Sequence, residues 1–271
     1  MKKIFKPIPT VLTIAGFDPY GGAGVQIDSK TIHALGGYAL TATTAITAQN
    51  SQGVTGVEAV SPEILRLQLT TLLNDIKIDA VKIGMLANAA LMEVVVDVLK
   101  TYGLSNVVLD PVMISSSGKA LLESDAIDMM VKELFPLCTL ITPNLMETNT
   151  LLGTDYQGKK EEGLEMAEGL FALGANAVLL KGGHGCEEAA VDCLVDASGM
   201  AYFSTLRVET THTHGTGCIL SSAIATQLAH NKSLKTSVPE AKNFLYEKMQ
   251  RADTLHLHYV SPSATKKEPI F

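Results

Sequence analysis

The sequence predicts an α/β fold of three layers, α/β/α, with a mostly parallel central sheet and helices on both faces. Three observations predict it. Short β-branched runs alternate with helical patterns along the chain, which implies right-handed βαβ units. Apolar residues make up 46% of the 271, yet aromatics only 5%, with no Trp. The core must therefore be filled by Ala, Val, Ile, Leu and Met, as between helices and a buried sheet. Lastly, Asp18, Asp110, Asn144 and Lys181 stand just after strand candidates, where ligands sit in such sheets.

Element by element, Val11–Ala15 reads as the first strand, and Gly24–Leu35 as a helix closed by Gly36 and Gly37. Tyr38–Ala45 and Val54–Val60 are strands, and Pro62 opens a helix with Leu65, Leu69, Leu72 and Ile76 on one face. Ala80–Ile83 is a strand; Leu91, Val94, Val95, Val98 and Tyr102 stripe a helix that Gly103 stops. Val107–Leu109 runs into Asp110–Pro111, and Ile127, Met130, Val131 and Leu134 mark one further helix. Thr139–Ile141 leads through Pro143–Asn144 into a helix ending at Gly153. Leu164, Ala167, Leu170 and Phe171 stripe a helix before Gly174, and the strand Ala177–Leu180 follows. Ala190–Val195 and Met200–Ser204 pair as a hairpin around Asp196–Gly199. Two helices close the chain, at about Gly217–His230 and Pro239–His256. No linker or repeat interrupts residues 1–271, so one domain is expected.

A net charge of −7 leaves no basic field for nucleic acid, so any bound phosphate needs a local device. Cys138, Cys186, Cys193 and Cys218 form no CxxC pair; reduced thiols in a cytoplasmic protein are expected. Pro7 and Pro9 interrupt the N-terminus, and Val11–Ala15 is too short for a signal core or a membrane span. The stretch Thr31–Val57 lacks Asp, Glu, Lys and Arg but is studded with Thr, Gln, Asn and Gly, which suits a buried strand and its loops. No membrane partner is expected.

Four motifs carry the chemistry. Gly16-Phe17-Asp18-Pro19-Tyr20-Gly21-Gly22-Ala23-Gly24 joins the first strand to the first helix. Its glycines let backbone N–H groups approach a ligand, although it matches neither GxGxxG nor a P-loop. His214-Gly215-Thr216-Gly217-Cys218 precedes an apolar helix and forms an anion cradle, with Cys218 in the first turn, where the helix dipole lowers a thiol pKa. The plain alternative there is a buried structural cysteine. Pro143-Asn144-Leu145-Met146-Glu147 puts oxygens at i and i+3, able to hold a hydrated Mg²⁺ beside phosphates or merely to cap a helix. Lys181-Gly182-Gly183-His184 ends a strand with a cation that could meet a phosphate, or with an ordinary turn. Gln49-Asn50 could read a heterocycle edge, since an amide both donates and accepts, or simply be solvated. The pairs His212/His214 and His256/His258 lack a third metal ligand of fitting spacing.

Together these pieces closely resemble the hydroxymethylpyrimidine/phosphomethylpyrimidine kinases of the ribokinase-like superfamily, over nearly the whole chain. The most specific are Gly21-Gly22-Ala23-Gly24, Ala48-Gln49-Asn50, Lys82-Ile83-Gly84-Met85-Leu86, Leu109-Asp110-Pro111-Val112-Met113, Ile141-Thr142-Pro143-Asn144 and the Lys181 and Cys218 motifs. The resemblance implies a homodimer that uses ATP and Mg²⁺. It would phosphorylate 4-amino-5-hydroxymethyl-2-methylpyrimidine and then the resulting monophosphate, in thiamin diphosphate biosynthesis. It further implies that Gln49, Met85, Gly16, Ala23 and Val112 contact the pyrimidine, with Asp28 near it. Asp110, Asn144 and Glu147 would organise Mg²⁺, partly through water, and Lys181 would meet the ATP phosphates. Gly215, Thr216 and Gly217 would form the anion hole, with Cys218 where most ribokinase-like enzymes have an Asp base.

Phe17, Tyr20 and Ile27 depart from the family pattern, which has small residues there, and place bulk beside the expected substrate entrance. No thiamin-phosphate synthase extension is expected after Phe271. Two rivals differ in class. Pyridoxal kinases of the same subfamily resemble a type with Met at the position of Gln49 and a Cys in the loop that here reads Ile114-Ser115-Ser116-Ser117-Gly118. A non-catalytic pyrimidine-binding protein would need none of Lys181, Glu147 and Cys218.

Overall fold

Every residue of Ala80–Ile83 and Val107–Leu109 is buried, so the middle of the sheet is covered on both faces. The computed structural model describes residues 7–113, 121–182, 189–210 and 213–252, with backbone only at 124 and 125. Its strands are β1 (Thr10–Phe17), β2 (Tyr38–Asn50), β3 (Gly53–Ala59), β4 (Ala80–Ile83), β5 (Val107–Leu109), β6 (Leu140–Ile141), β7 (Val178–Leu180), β8 (Ala189–Asp196) and β9 (Gly199–Leu206). They form one sheet in the order β3-β2-β1-β4-β5-β6-β7-β8-β9. From β2 to β7 the pairs are parallel, while β3 at one edge and β8 and β9 at the other are antiparallel. The chain runs outward from β1 through β2 and β3, then returns to β4 on the other side of β1. That reversal opens a crevice at the strands' carboxyl ends.

The helices are α1 (Gly24–Ala34), α2 (Pro62–Leu73), α3 (Ala89–Tyr102), α4 (Ser124–Met129), α5 (Leu145–Leu152), α6 (Gly163–Ala172), α7 (Thr216–Ala229) and α8 (Leu234–Gln250). Alternation along the strands sorts the core into two layers. Leu12, Val81, Leu109 and Ile141 face one cluster with residues of α2, α3, α4 and α6; Val11, Ala80, Val108 and Leu140 face the other with α1, α7 and α8. Helix α7 is buried from Ile219 through Ala229, so its amino end is carried into the sheet's centre. The helix starts and stops follow their signals. Asn88 caps α3 by accepting from Leu91 N–H at 3.0 Å, and Gly103 and Gly153 end α3 and α5 in the left-handed region.

Three elements differ from expectation. Strand β2 continues to Asn50 because Ala45–Asn50 pairs with β3, and cross-strand pairing outweighs a polar sequence. Gln49 therefore sits on a strand and not in a loop. The stripe Ile127–Leu134 is not one regular helix: α4 gives way to a wide turn at Met130–Leu134 and a tight one at Phe135–Leu137. Pro136 has no N–H with which to continue an α-helix. Helix α8 starts at Leu234 and runs through Pro239, with Val238 and Ala241 buried against the layer below. Its expected end at His256, the residues Cys186, His212 and His258, and the Ser115–Gly118 loop lie outside the described residues. Cys138, Cys193 and Cys218 are free thiols, and no helix among the described residues is long and apolar enough to cross a membrane.

Candidate active site

The crevice deepens into a cavity of about 780 Å³ between the carboxyl ends of the strands, the amino end of α7 and one side of α8. That volume suits a small molecule and a second, larger one. Every site residue named from the sequence lines it except Asp28.

The amino end of α7 is the organising feature. Gly215 caps it in the left-handed region at φ 81°, and a Cβ there would stand 1.8 Å from the Gly22 carbonyl oxygen. Only glycine fits. Gly217 makes room of another kind: a Cβ on it would come within 3.0 Å of Asp110 Oδ2 and 3.4 Å of Lys181 Nζ. Its absence lets the strand-end charges reach the first turn. No side chain caps α7, which leaves N–H groups pointing into the cavity as an anion would require. The cradle expected over Gly215, Thr216 and Gly217 has one of its three N–H groups engaged. Thr216 N–H bonds back to the Thr213 carbonyl at 3.3 Å, which leaves the N–H groups of Gly217 and Cys218 as the donors of this turn with no hydrogen-bond partner among the described residues.

Asp110, Glu147 and Lys181 converge from β5, α5 and β7. Lys181 Nζ lies 2.7 Å from Asp110 Oδ1 and 3.9 Å from Glu147 Oε2. Burial works against the Lys181 ammonium, but Asp110 and then Glu147 raise its pKa above the ordinary value. Burial pushes the Glu147 carboxyl up to about 7, with Lys181 opposing and Asp110 reinforcing that rise. Asn144 and Glu147 form a capping box: Glu147 Oε2 accepts from Asn144 N–H and Asn144 Oδ1 from Glu147 N–H, each at 2.8 Å. The capping alternative is therefore realised, but Glu147 does not face solvent; it is 7% exposed. A buried carboxyl held this far above its usual range is short of positive charge. Two hard oxygen donors, with no cluster of three or more His, Cys, Asp or Glu set to hold a metal among the described residues, fit a Mg²⁺ that keeps several waters. With its amide oxygen engaged in the cap, Asn144 fits as a positioner of Glu147 rather than as a ligand.

Cys218 stands at the third position of α7, and its thiol is not activated. Burial pushes its pKa up to about 11, against the pull of Lys82 and a hydrogen bond from Gly24 N–H. Desolvation outweighs both. Lys82, a cation within an apolar strand, is fully buried and pairs with Asp28 at 2.9 Å. Asp28 also accepts from Thr13 Oγ1 at 2.5 Å and Ser222 Oγ at 2.6 Å. Asp28 thus stands behind the cavity wall with its oxygens engaged, and the expected substrate contact is corrected: Lys82 faces the cavity in its place.

A family model for phosphomethylpyrimidine kinase matches residues 18–262. The chain is 42% identical over 252 residues to the hydroxymethylpyrimidine/phosphomethylpyrimidine kinase of Escherichia coli (strain K12), covering 93% of this chain and 95% of that one. This chain belongs to the phosphomethylpyrimidine kinase family. The family is one of phosphotransferases, and its fold is ribokinase-like. A crystal structure of phosphomethylpyrimidine kinase from Clostridium difficile 630 superposes with a TM-score of 0.78 at 38% identity, over 88% of this chain and 98% of that one. An ADP complex of Bacillus subtilis pyridoxal kinase superposes with a TM-score of 0.85 at 34% identity, over 92% and 95%.

At the other end of the cavity of this phosphomethylpyrimidine kinase family member, Gln49 is half-buried, and its carboxamide lies 2.9 Å from His214 Nε2 and 3.3 Å from Thr47 Oγ1. Met85 faces Gly16, whose missing Cβ would stand 3.3 Å from the Met85 sulfur. Phe17 lines the cavity, whereas Ile27 packs beneath Cys218 against Ile219. Sequence reasoning quoted Lys82 and His214 within motifs without giving either a site role, and it passed over the buried pair Lys242–Asp192, 2.7 Å apart, whose Asp192 also accepts from Gly182 N–H. A charge inside an otherwise apolar strand, as in Ala80–Ile83, is the signal that could have found the first.

Proposed function

We propose that this chain transfers the γ-phosphoryl group of ATP to the hydroxymethyl oxygen of 4-amino-5-hydroxymethyl-2-methylpyrimidine, and then phosphorylates the monophosphate, supplying thiamin diphosphate biosynthesis. The observation that carries the reading is the convergence of Lys181, Asp110, Glu147 and the open first turn of α7 at one end of a cavity, with the Gln49 amide at the other. The alcohol oxygen bonds to the γ-phosphorus while the bond to the β-phosphate oxygen breaks, its electron pair leaving on ADP. Phosphoryl transfer of this kind is mainly positioning and charge stabilisation. The Lys181 ammonium and the N–H groups of Gly217 and Cys218 meet the charge spread over the phosphoryl oxygens. Asp110 and Glu147 would hold Mg²⁺, which when bound neutralises phosphate charge. Cys218 takes the alcohol proton as its thiolate, a minor form at neutral pH that Lys82 and Gly24 N–H favour.

The Gln49 amide supports an aminopyrimidine over pyridoxal, because it offers adjacent donor and acceptor. Phosphorylation of pyridoxal is the second reading, favoured by the likeness to the Bacillus subtilis pyridoxal kinase. Site residues from β1, β2, α5, α7 and the loops after β4, β5 and β7 line one cavity over one sheet, which supports a single domain over 1–271. Free thiols at Cys138, Cys193 and Cys218 support a reducing, cytoplasmic setting. A homodimer is part of the same reading and is checked by light scattering. Incubation with Mg·ATP and each alcohol in turn, with products identified by mass, tests the whole. Mono- and diphosphate of the pyrimidine are expected, and pyridoxal phosphate alone would favour the second reading.

A further inference from the structure

Two polar groups meet at one atom, His214 Nε2. Asp18 Oδ2 lies 3.1 Å from it, and the end of the Gln49 carboxamide assigned as its nitrogen lies 2.9 Å away. A single ring nitrogen cannot accept from an amide N–H and donate to a carboxylate at once. Asp18 decides between the two. Its carboxylate accepts from Tyr20 N–H at 2.9 Å, Gly22 N–H at 3.1 Å and Ala23 N–H at 2.9 Å. Burial opposes its charge, but the hydrogen bonds from His214, Tyr20 and Ala23 hold the carboxyl below the usual range. A charged carboxylate only accepts, so Nε2 carries a hydrogen.

The group that Gln49 presents to Nε2 must then be its oxygen, since the two ends of a carboxamide have the same shape and are told apart only by their hydrogen bonds. The other end gives the same answer independently. It stands 3.3 Å from Thr47 Oγ1, and the Thr47 hydroxyl donates to the Phe17 carbonyl at 3.0 Å. With its one hydrogen spent, that hydroxyl can only accept, which requires the amide NH₂ beside it.

We propose that His214, with its proton on Nε2 toward Asp18, is a positioning residue that fixes the Gln49 amide with oxygen toward His214 and NH₂ toward Thr47. One amide hydrogen and one oxygen lone pair then remain for the cavity. An aminopyrimidine edge offers a ring nitrogen beside an amino group, and it pairs with a fixed amide in one sense only. Turned over, the amide would seat the ring the other way round and carry the hydroxymethyl group away from Cys218. His214 thus sets the substrate's orientation without being required to touch it. This consequence for substrate rests on the proposed pyrimidine kinase activity; the direction of the amide does not.

Two measurements test the proposal. In ligand-free protein with ¹⁵N-labelled histidine, Nε2 of His214, assigned by its loss in His214→Gln, is expected at the shift of a protonated ring nitrogen. An unprotonated Nε2 would overturn it. The second is a double-mutant cycle read as kcat/KM on hydroxymethylpyrimidine. His214→Asn is expected to lose about fivefold to tenfold in the wild-type background, and less than about twofold when Gln49 is already Met. Additive losses would show that His214 does not act through Gln49. A wild-type protein with no activity on the pyrimidine would refute the functional reading, and the nitrogen shift would still decide the orientation of the amide.

Discussion

Lys181 Nζ donates to Asp110 Oδ1 at 2.7 Å, across the ends of two strands 71 residues apart in sequence. Gly217 leaves the space for this pair to stand against the first turn of α7, so one paired cation is held at the mouth of an anion site. Replacing Lys181 removes charge where the transferring phosphoryl group passes. Lys181→Ala is expected to lower kcat by about 10²–10³ while changing the calorimetric affinity for the pyrimidine by less than about threefold. Near-normal turnover would reduce Lys181 to a turn residue.

Glu147 offers a cleaner separation of structure from charge. Gln at 147 can still accept from Asn144 N–H, so the cap of α5 survives, but the carboxylate is gone. Glu147→Gln should leave the melting temperature nearly unchanged and raise the Mg²⁺ concentration needed for half-maximal rate. An unaltered Mg²⁺ titration would confine the residue to capping.

Substrate choice tests Gln49. Met at this position keeps the bulk and loses both hydrogen-bonding groups, leaving the ring's polar atoms unpaired at about 1–3 kcal/mol. Gln49→Met should therefore lower kcat/KM for hydroxymethylpyrimidine about tenfold or more, and pyridoxal far less. Equal losses on the two alcohols would make Gln49 a supporting residue of β2.

The Cys218 thiol, pushed up to about 11, is protonated at neutral pH. Its alkylation by iodoacetamide should run far slower than that of an ordinary thiol at pH 8 and climb about tenfold per pH unit towards pH 11, since only the thiolate reacts. Burial pushes Cys138 higher still, so Cys218 should remain the faster of the two, and saturating pyrimidine should protect it. Cys218→Ala is expected to lose at least about tenfold in kcat yet keep measurable activity, because the backbone N–H groups remain. Cys218→Asp should recover part of the loss. Full activity in the Ala variant would make Cys218 a packing residue.

Behind the cavity, Asp28 neutralises a fully buried Lys82. Asp28→Ala strands that cation and leaves Thr13 and Ser222 without their acceptor, a loss of about 3 kcal/mol or more. The melting temperature should fall by about 6–12 °C. Removing both charges, as in Asp28→Asn with Lys82→Met, should recover much of the fall. A single variant as stable as the wild type would contradict the pairing.

The sequence by itself determined the layers and the address of the site. Val11, Ala80, Val107 and Leu140 lie in short apolar runs between helical stripes, and such runs have one economical solution, a parallel sheet covered on both faces. Turn chemistry at Gly103, Asn144 and Gly153 placed helix ends because those residues act on backbone within a few positions. The polar residues after strands marked the carboxyl edge where Asp110, Asn144 and Lys181 indeed meet.

What only the tertiary structure decided depends on neighbours distant in sequence. The protonation of Cys218 follows from desolvation where α7 packs against Ile27 of α1, against the pull of Lys82, and no local pattern encodes desolvation. Asp28 was expected near the ligand on the family resemblance alone; its partner Lys82 is 54 residues away, and only the packed sheet turns it inward. Gln49 joined a strand because β3 was there to pair with it. His214 became a positioning residue because the glycine-rich turn carrying Asp18 folds against it, 196 residues away in the chain. Periodicity and capping are local effects and can be read from one segment, whereas charge state and hydrogen-bond direction are properties of a surrounding assembled from many.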